Sequence, residues 1–234
     1  MKLISNAKLI FISLALFTLV GCKATSSYTH HTVQKPENKP VKLLVMPVEI
    51  AINTLTASGN LELEVDATEK AKVAVQAVLH SETQRGKLEL LHMPPLNAEE
   101  DKIVREHVAL YDTVGGTAIN FTPIFAHKRK NFDYTLGDGL AFLKERTGAD
   151  AALFVNAYNT NSSGGRVAAA TFAAMWGVAI PMGVDYSVVS IVDLETGNIL
   201  WLNKPAVSNL QKDKNISKFS NRLFEEYEKS LSAK

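Results

Sequence analysis

Cysteine is almost absent from this sequence. Cys22 is the only one among 234 residues, which excludes an intrachain disulfide framework and a cluster of thiolate metal ligands. An excess of charge of either sign is missing as well, because 25 lysines and arginines are balanced by 24 aspartates and glutamates. A chain so close to neutral gives no electrostatic basis for nucleic-acid binding. No internal repeat is present.

Motifs typical of catalysis are missing too. The sequence has no histidine pair at helical spacing, no serine in a Gly-x-Ser-x-Gly turn and no paired carboxylates in an apolar setting. His80, His92 and His107 stand apart from one another, and we interpret them as surface or structural histidines rather than ligands. We therefore predict a protein that is not an enzyme and that holds no metal ion or other cofactor.

The N-terminus has the layout of a signal peptide. Lys2 and Lys8 flank an apolar run over residues 9–20, which is shorter than the about 20 apolar residues that a spanning helix needs. The run ends in Leu19, Val20, Gly21 and Cys22, which together resemble the lipobox of bacterial lipoproteins. Small residues fit the peptidase groove, and the cysteine thiolate can take a diacylglycerol as a thioether. We expect cleavage before Cys22 and lipid on Cys22.

The residue after Cys22 indicates which membrane is expected to hold the anchored protein. It is Lys23, and not the aspartate that resembles an inner-membrane retention signal in diderm bacteria. We therefore expect a lipid-anchored protein of the outer membrane that faces the periplasm. The alternative is an ordinary signal peptide that has a cysteine near its end by chance. It requires the position of Cys22, its spacing from the apolar run and its being the only cysteine to coincide. Without residues 1–21, which include Lys2 and Lys8, the net charge of the chain is −1.

A polar stretch separates the expected anchor from the rest of the chain. Residues 22–40 are rich in serine, threonine, lysine and proline and show no apolar periodicity, so we predict a flexible tether. His30 and His31 lack a third ligand for a metal and are predicted to be solvated. Residues 41–234 are enough for one domain with a sizeable core.

The first half of this domain alternates between predicted strands and helices. Residues 41–50 form a dense apolar run around Pro47, typical of a strand buried on both faces. Asp66 and Glu69 suggest a capping box for a helix that carries an apolar stripe. Residues 88–93 indicate a short strand. Asn97 and Glu100 indicate the capping box of a second helix, whose stripe consists of Ile103, Val104, Val108, Tyr111 and Val114.

The second half begins with a basic loop at residues 127–130. Thr135 is a candidate cap for a helix that closes at Gly148, and residues 151–158 are predicted to be a strand. Residues 186–194 and 199–202 indicate a hairpin that turns at Gly197. A last amphipathic helix is expected from Asn215 or Ser217, with a stripe formed by Ile216, Phe219, Leu223, Tyr227 and Leu231. The fold class predicted is α/β (α+β), a mixed sheet flanked by helices.

Three segments in this order carry a resemblance to a known group: residues 42–48, 148–155 and 192–201. The domain resembles the periplasmic α/β lipoproteins typified by the curli secretion lipoprotein CsgG, the penicillin-binding-protein activator LpoB and the N-terminal domain of TolB. The resemblance implies action by protein binding or assembly and carries over no catalytic residue. The chain lacks the two long alternating segments that a pore barrel needs.

One segment leaves several alternatives open. Residues 167–184 contain no charged residue, and their length only touches the lower limit for a spanning helix. Gly177, Pro181 and Gly183 break the second half. We expect a buried core helix followed by a loop. The alternatives are a surface for self-association or a partner, centred on Met175 and Trp176, and insertion into a membrane.

Two functional hypotheses follow from the sequence. The favoured one is a lipid-anchored binding or assembly module of the cell envelope, with an envelope protein or a second copy as its partner. The alternative is an envelope protein or enzyme that binds a small anion at Gly164, Gly165 and Arg166, where a strand-to-helix turn presents backbone amides. This turn lacks the spacing of a phosphate-binding loop or a dinucleotide fingerprint.

Overall fold

The domain is built on one mixed β-sheet. A computed structural model describes residues 27–207 and 209–232. Its strands are β1 (Tyr28–Thr29), β2 (Lys42–Val45), β3 (Glu49–Leu55), β4 (Leu61–Leu63), β5 (Gln84–Arg85), β6 (Leu88–Leu91), β7 (Ala151–Ser162), β8 (Tyr186–Asp193) and β9 (Ile199–Asn203). Its helices are α1 (Val65–Ser81), α2 (Ala98–Phe121), α3 (Ala126–Lys130), α4 (Ala141–Thr147), α5 (Gly164–Ala174) and α6 (Asp213–Ser232), with short 3-10 helices at His31–Val33 and Pro36–Asn38.

The long strand β7 organises the sheet. Within the described residues the strand order is β1-β9-β8-β7-β2-β6-β5, and β3 joins β4 to the far half of β7. Strands β2 and β3 both run parallel to β7, whereas β8 runs antiparallel to it. The C-terminal end of β7 and the N-terminal end of β8 therefore lie together at one end of the sheet, which we call the connection end. Residues 163–185 join the two strands there.

The expected single strand over residues 41–50 is wrong, because it is divided into two at Pro47. Val45 pairs with Leu153, and Glu49 pairs with Asn156, so four steps along this segment match three along β7. One residue is therefore extra, as in a β-bulge. A proline suits the break since it has no amide hydrogen for the ladder.

Side chains alternate between two cores on opposite faces of the sheet. Leu43, Leu153 and Val155 face one core, which also contains the buried residues of α1 and α6. Leu44 and Phe154 face the other, which contains the buried residues of α2 and α4. This alternation is the period-two pattern of a strand that is covered on both faces. The predicted fold class, a mixed sheet flanked by helices, is confirmed.

The helix starts were predicted with mixed success. Asn97 and Glu100 form the expected capping box at the start of α2. The capping box expected from Asp66 and Glu69 is wrong: α1 begins at Val65, directly after β4, and has no side-chain cap. The expected stripe of α1 is nevertheless confirmed, since Ala71, Val75 and Leu79 are buried.

Other local expectations need correction. The predicted basic loop at residues 127–130 belongs to α3. Thr135 does not cap a helix but forms an isolated bridge with Asn198, and α4 begins later, at Ala141. Gly148, with φ 68°, closes α4 as predicted. Helix α6 begins at Asp213, before the two residues expected, because its N-terminal turn adds residues that lie outside the apolar stripe.

Two hairpins flank β7. The predicted hairpin of β8 and β9 is confirmed, and Gly197 has the positive φ of 69° that its turn requires. The hairpin of β3 and β4 was not predicted. All three residues of β4 are exposed, so the alternation of Leu61, Glu62 and Leu63 does not mark a buried face.

The N-terminal segment lies against the domain from Tyr28 onward. Strand β1 pairs with β9, Val33 is buried, and the Tyr227 hydroxyl donates a hydrogen bond of 2.8 Å to the Pro40 carbonyl. His30 is also buried, and this burial lowers the pKa of its imidazole. The expectations of a flexible tether and of solvated histidines are therefore wrong for residues 28–40 and for His30. Residues 22–26 lie outside the described residues.

Candidate functional site

Residues 167–184, the apolar segment, form an exposed surface at the connection end of the sheet. The expectation of a buried core helix here is wrong, because α5 has no buried residue. Phe172, Met175 and Trp176 are 65%, 78% and 76% exposed. The large exposed hydrophobic residues of the segment are Val167, Phe172, Met175, Trp176, Val178, Met182 and Val184. A concentration of exposed apolar side chains is typical of a binding surface.

Local signals at both ends define the helix of this segment. The Ser163 hydroxyl accepts a hydrogen bond of 3.2 Å from the Arg166 amide, which caps the N-terminus. At the other end Gly177 has φ 75°, and the amides of Gly177 and Val178 donate to carbonyls in the last turn. This is the Schellman arrangement. Since Phe172, Met175 and Trp176 are three and four positions apart, they share one face of the helix.

The loop after the helix is bonded both to the helix and to the end of β7. The Arg166 guanidinium donates from Nε and Nη2 to the Pro181 carbonyl, at 3.1 and 2.7 Å. The Gly183 amide donates to the Ser162 hydroxyl at 3.2 Å. A Cβ at Gly183 would lie 2.1 Å from the Thr160 carbonyl oxygen, so only glycine permits this close approach. The apolar surface is therefore held in shape by the end of β7.

These contacts bear on the predicted anion site. Gly164, Gly165 and Arg166 do lie at a strand-to-helix turn, as expected. However, the Arg166 amide is already bonded to Ser163, and its guanidinium to Pro181. The amide and the guanidinium of Arg166 are thus used within the chain. The geometry favours a structural role for Arg166.

We expect Arg166→Ala to loosen the loop over residues 175–184 without unfolding the domain. A hydrogen bond from a charged donor contributes about 1.5–3 kcal/mol to stability, and it contributes less at an exposed site such as this one. Limited proteolysis should therefore cleave the loop several-fold faster in the variant, while the midpoint of urea unfolding changes little.

Arg166→Lys is the matched control, because lysine keeps the charge but lacks the planar fork that reaches one carbonyl with two donors. It should be cleaved nearly as fast as Arg166→Ala. Calorimetry with inorganic phosphate tests the alternative directly: saturable binding by the wild type that Arg166→Ala abolishes would contradict the structural role.

A cleft of about 610 Å³ lies between α2 and the sheet. It contains Asp112, whose carboxylate accepts a hydrogen bond of 2.9 Å from the Asn156 amide. Tyr158 and Tyr186 stack beside it with ring centroids 5.5 Å apart. Burial, and then the charge of Asp112, raise the pKa of the Tyr186 hydroxyl. Such a cleft can hold a small ligand, yet Asp112 is already paired within the chain. Sequence reasoning missed it because its residues are widely separated along the chain.

The histidines do not form a metal centre. His80 and His92 were expected to be isolated, but their ring centroids lie 4.6 Å apart. Partial burial lowers the pKa of His80, and the neighbouring His92 lowers it further. His107 is bonded to the Ile103 carbonyl at 2.8 Å. Among the described residues no group of three or more histidine, cysteine or acidic side chains is placed to hold a metal ion.

The remaining predicted site residues concern the membrane. Leu19, Val20, Gly21 and Cys22 lie outside the described residues. Within residues 27–207 and 209–232, no helix combines the length and the hydropathy that crossing a bilayer requires. Comparison with known proteins gives no assignment, since neither a protein-family model nor a curated protein matches the chain.

Proposed function

We propose that this chain is a lipid-anchored lipoprotein of the cell envelope, attached through Cys22 to the outer membrane and facing the periplasm. Its domain acts by binding and not by catalysis, and the apolar segment is its binding surface. The observation that carries the proposal is the exposure of Phe172, Met175 and Trp176 on a helix and loop that are bonded to each other and to the end of β7. An apolar surface that is fixed before binding loses little conformational freedom when it is covered.

The architecture is compatible with the group that the sequence resembles. A mixed sheet between two helical layers is what a likeness to CsgG, LpoB and the N-terminal domain of TolB implies. We propose this relationship at the level of fold, because one architecture hosts many functions. The apolar segment and the lipobox, and not the fold, support the proposed activity.

We expect Cys22→Ala to abolish lipid attachment. The intact protein should be expressed in a diderm host that is fed labelled palmitate, and its membranes should then be fractionated. The wild type should carry the label in the outer-membrane fraction, because the cysteine thiol is the only one in the chain that can take a thioether-linked lipid. The variant should carry none.

Lys23→Asp is a useful companion variant, since it keeps the lipid attachment site and changes only the residue expected to direct sorting. It should retain the label and move toward the inner-membrane fraction. A wild-type protein that remains soluble and unlabelled would overturn the lipoprotein proposal.

A further inference from the structure

We infer that the apolar segment docks on the lipid surface of the same membrane that holds the anchor. This inference rests on the proposed lipidation of Cys22 and goes beyond it, because it assigns the occupant of the binding surface. The domain would then contact the bilayer at two points, the lipid on the cysteine and the exposed side chains around Trp176.

The direction of β1 is the first argument. Pairing across the sheet places Tyr28, Leu202, Ser190 and Phe154 in one row, and Thr29, Trp201, Ile191 and Leu153 in the next. A step from Thr29 back to Tyr28 therefore runs the same way as a step from Leu153 to Phe154, toward Ser162. At Tyr28 the chain points upstream toward the connection end, where the apolar segment is attached.

The length of the chain before β1 is the second argument. Cys22 precedes Tyr28 by six residues, which span at most about 20 Å. The eight steps along β7 from the row of Tyr28 to Ser162 cover about 26 Å. A lipid on Cys22 therefore keeps Tyr28 close to the bilayer, and the direction of β1 turns the connection end toward it.

The chemistry of the segment fits a lipid surface. Residues 167–184 contain no charge, and the flanking Arg166 and Asp185 are bonded to backbone groups of the chain. Tryptophan prefers the membrane–water interface, where its ring is at the level of the headgroups. Helix α5 has 11 residues and a length of about 16 Å, roughly half of the hydrocarbon thickness. It therefore suits a position along the interface.

The anchor also makes weak docking sufficient. A surface that is already tethered to a membrane meets it at an effective concentration in the millimolar range for a short linker. The apolar segment therefore needs only modest affinity to stay docked. A partner in solution would have to be captured without this advantage.

The two tryptophans of the chain provide the test. Trp176 is 76% exposed, whereas Trp201 is only 2% exposed. Labelled wild-type protein isolated from the host membrane should be reconstituted in phosphatidylethanolamine–phosphatidylglycerol vesicles whose acyl chains carry bromine, a quencher of tryptophan fluorescence. We expect the Trp176 emission to be quenched by these vesicles and to be shielded from aqueous acrylamide. Trp201 should remain unchanged.

Two glutamate variants separate docking from other effects. Met175→Glu places a charge on the exposed face beside Trp176 and should lose the quenching by bromine-labelled lipid. Val73→Glu is the matched control. Val73 is a similarly exposed apolar residue, at 68%, but it lies on α1. On either side of it, Lys72 and Gln76 bond to Glu49 and to the Val48 amide in the middle of the sheet. The Trp176 emission of the Val73→Glu variant should be quenched as in the wild type. Unfolding in urea checks that both variants are folded.

Each contrary outcome has a distinct meaning. If the palmitate-labelled protein is in these vesicles and its Trp176 stays accessible to acrylamide, the docking inference is overturned and the anchor stays intact. Shielding of Trp176 without quenching by lipid, together with crosslinking to another chain, also overturns it and assigns the surface to a protein. A chain without palmitate on Cys22 overturns the proposed function and the inference with it.

Discussion

Gly197→Ala is expected to lower the free energy of unfolding by about 2–5 kcal/mol. Gly197 has φ 69° in the turn of the β8–β9 hairpin, and the left-handed conformation costs a residue with a side chain about 1–2 kcal/mol. In addition, a Cβ there would lie 1.8 Å from the Gly137 carbonyl oxygen. Overpacking of this kind costs about 1–3 kcal/mol when backbone must move. Urea unfolding followed by circular dichroism measures the loss.

Gly148→Ala separates the two contributions. Gly148 has nearly the same φ, 68°, but a Cβ there would meet nothing within 4 Å. Its replacement should therefore show only the conformational part, about 1–2 kcal/mol. Equal losses for the two variants would mean that the loop around Gly137 yields without cost, and that the close approach does not stabilise the hairpin.

The layers of the fold could be predicted because they follow from periodicity. Strand β7 was recognised as a dense apolar run, and the helices α1, α2 and α6 were recognised from apolar residues three and four positions apart. The hairpin at Gly197 was recognised because its turn needs a positive φ that glycine supplies. Each of these signals is local, so no knowledge of distant contacts was necessary.

Elements held by backbone pairing alone escaped prediction. Strand β1 has only two residues, and the alternating Leu61, Glu62 and Leu63 of β4 are all exposed, so neither strand has a side-chain pattern that reflects burial. The polar stretch over residues 28–40 looks like a linker for the same reason, although main-chain bonds and Val33 attach it to the domain. Composition reports side-chain burial and says little about main-chain hydrogen bonds.

The apolar segment shows what hydropathy alone does not predict. Hydropathy predicts that an apolar segment prefers to leave water, but it does not distinguish between a core, a partner and a lipid surface. Met175 and Trp176 were therefore identified as a possible interface, while residues 167–184 as a whole were expected in the core. Their exposure depends on the fastening of the loop by Arg166 and Gly183, which only the folded arrangement of β7 and the loop reveals.

Trp201→Ala should lower the free energy of unfolding by about 3–5 kcal/mol, the range for removing a large buried aromatic side chain. Trp201 is 2% exposed, and its ring lies 5.1 Å from that of Tyr227 on α6. The variant loses this contact and leaves a cavity between the sheet and the C-terminal helix. Trp201→Phe keeps part of the ring and should lose less. Urea unfolding followed by circular dichroism gives both values.

Trp176→Ala, in contrast, should change the free energy of unfolding by no more than about 0.5 kcal/mol, as expected for an exposed side chain. The same measurement applies, and circular dichroism is preferable to fluorescence because each variant removes a tryptophan. A loss at Trp176 as large as that at Trp201 would show that the apolar segment belongs to the core in solution. The expected contrast means instead that the stability of the domain does not depend on the exposed Trp176 side chain of the apolar segment. Its exposed side chains are then free to contribute their burial energy to binding, which is the condition that docking on a membrane requires.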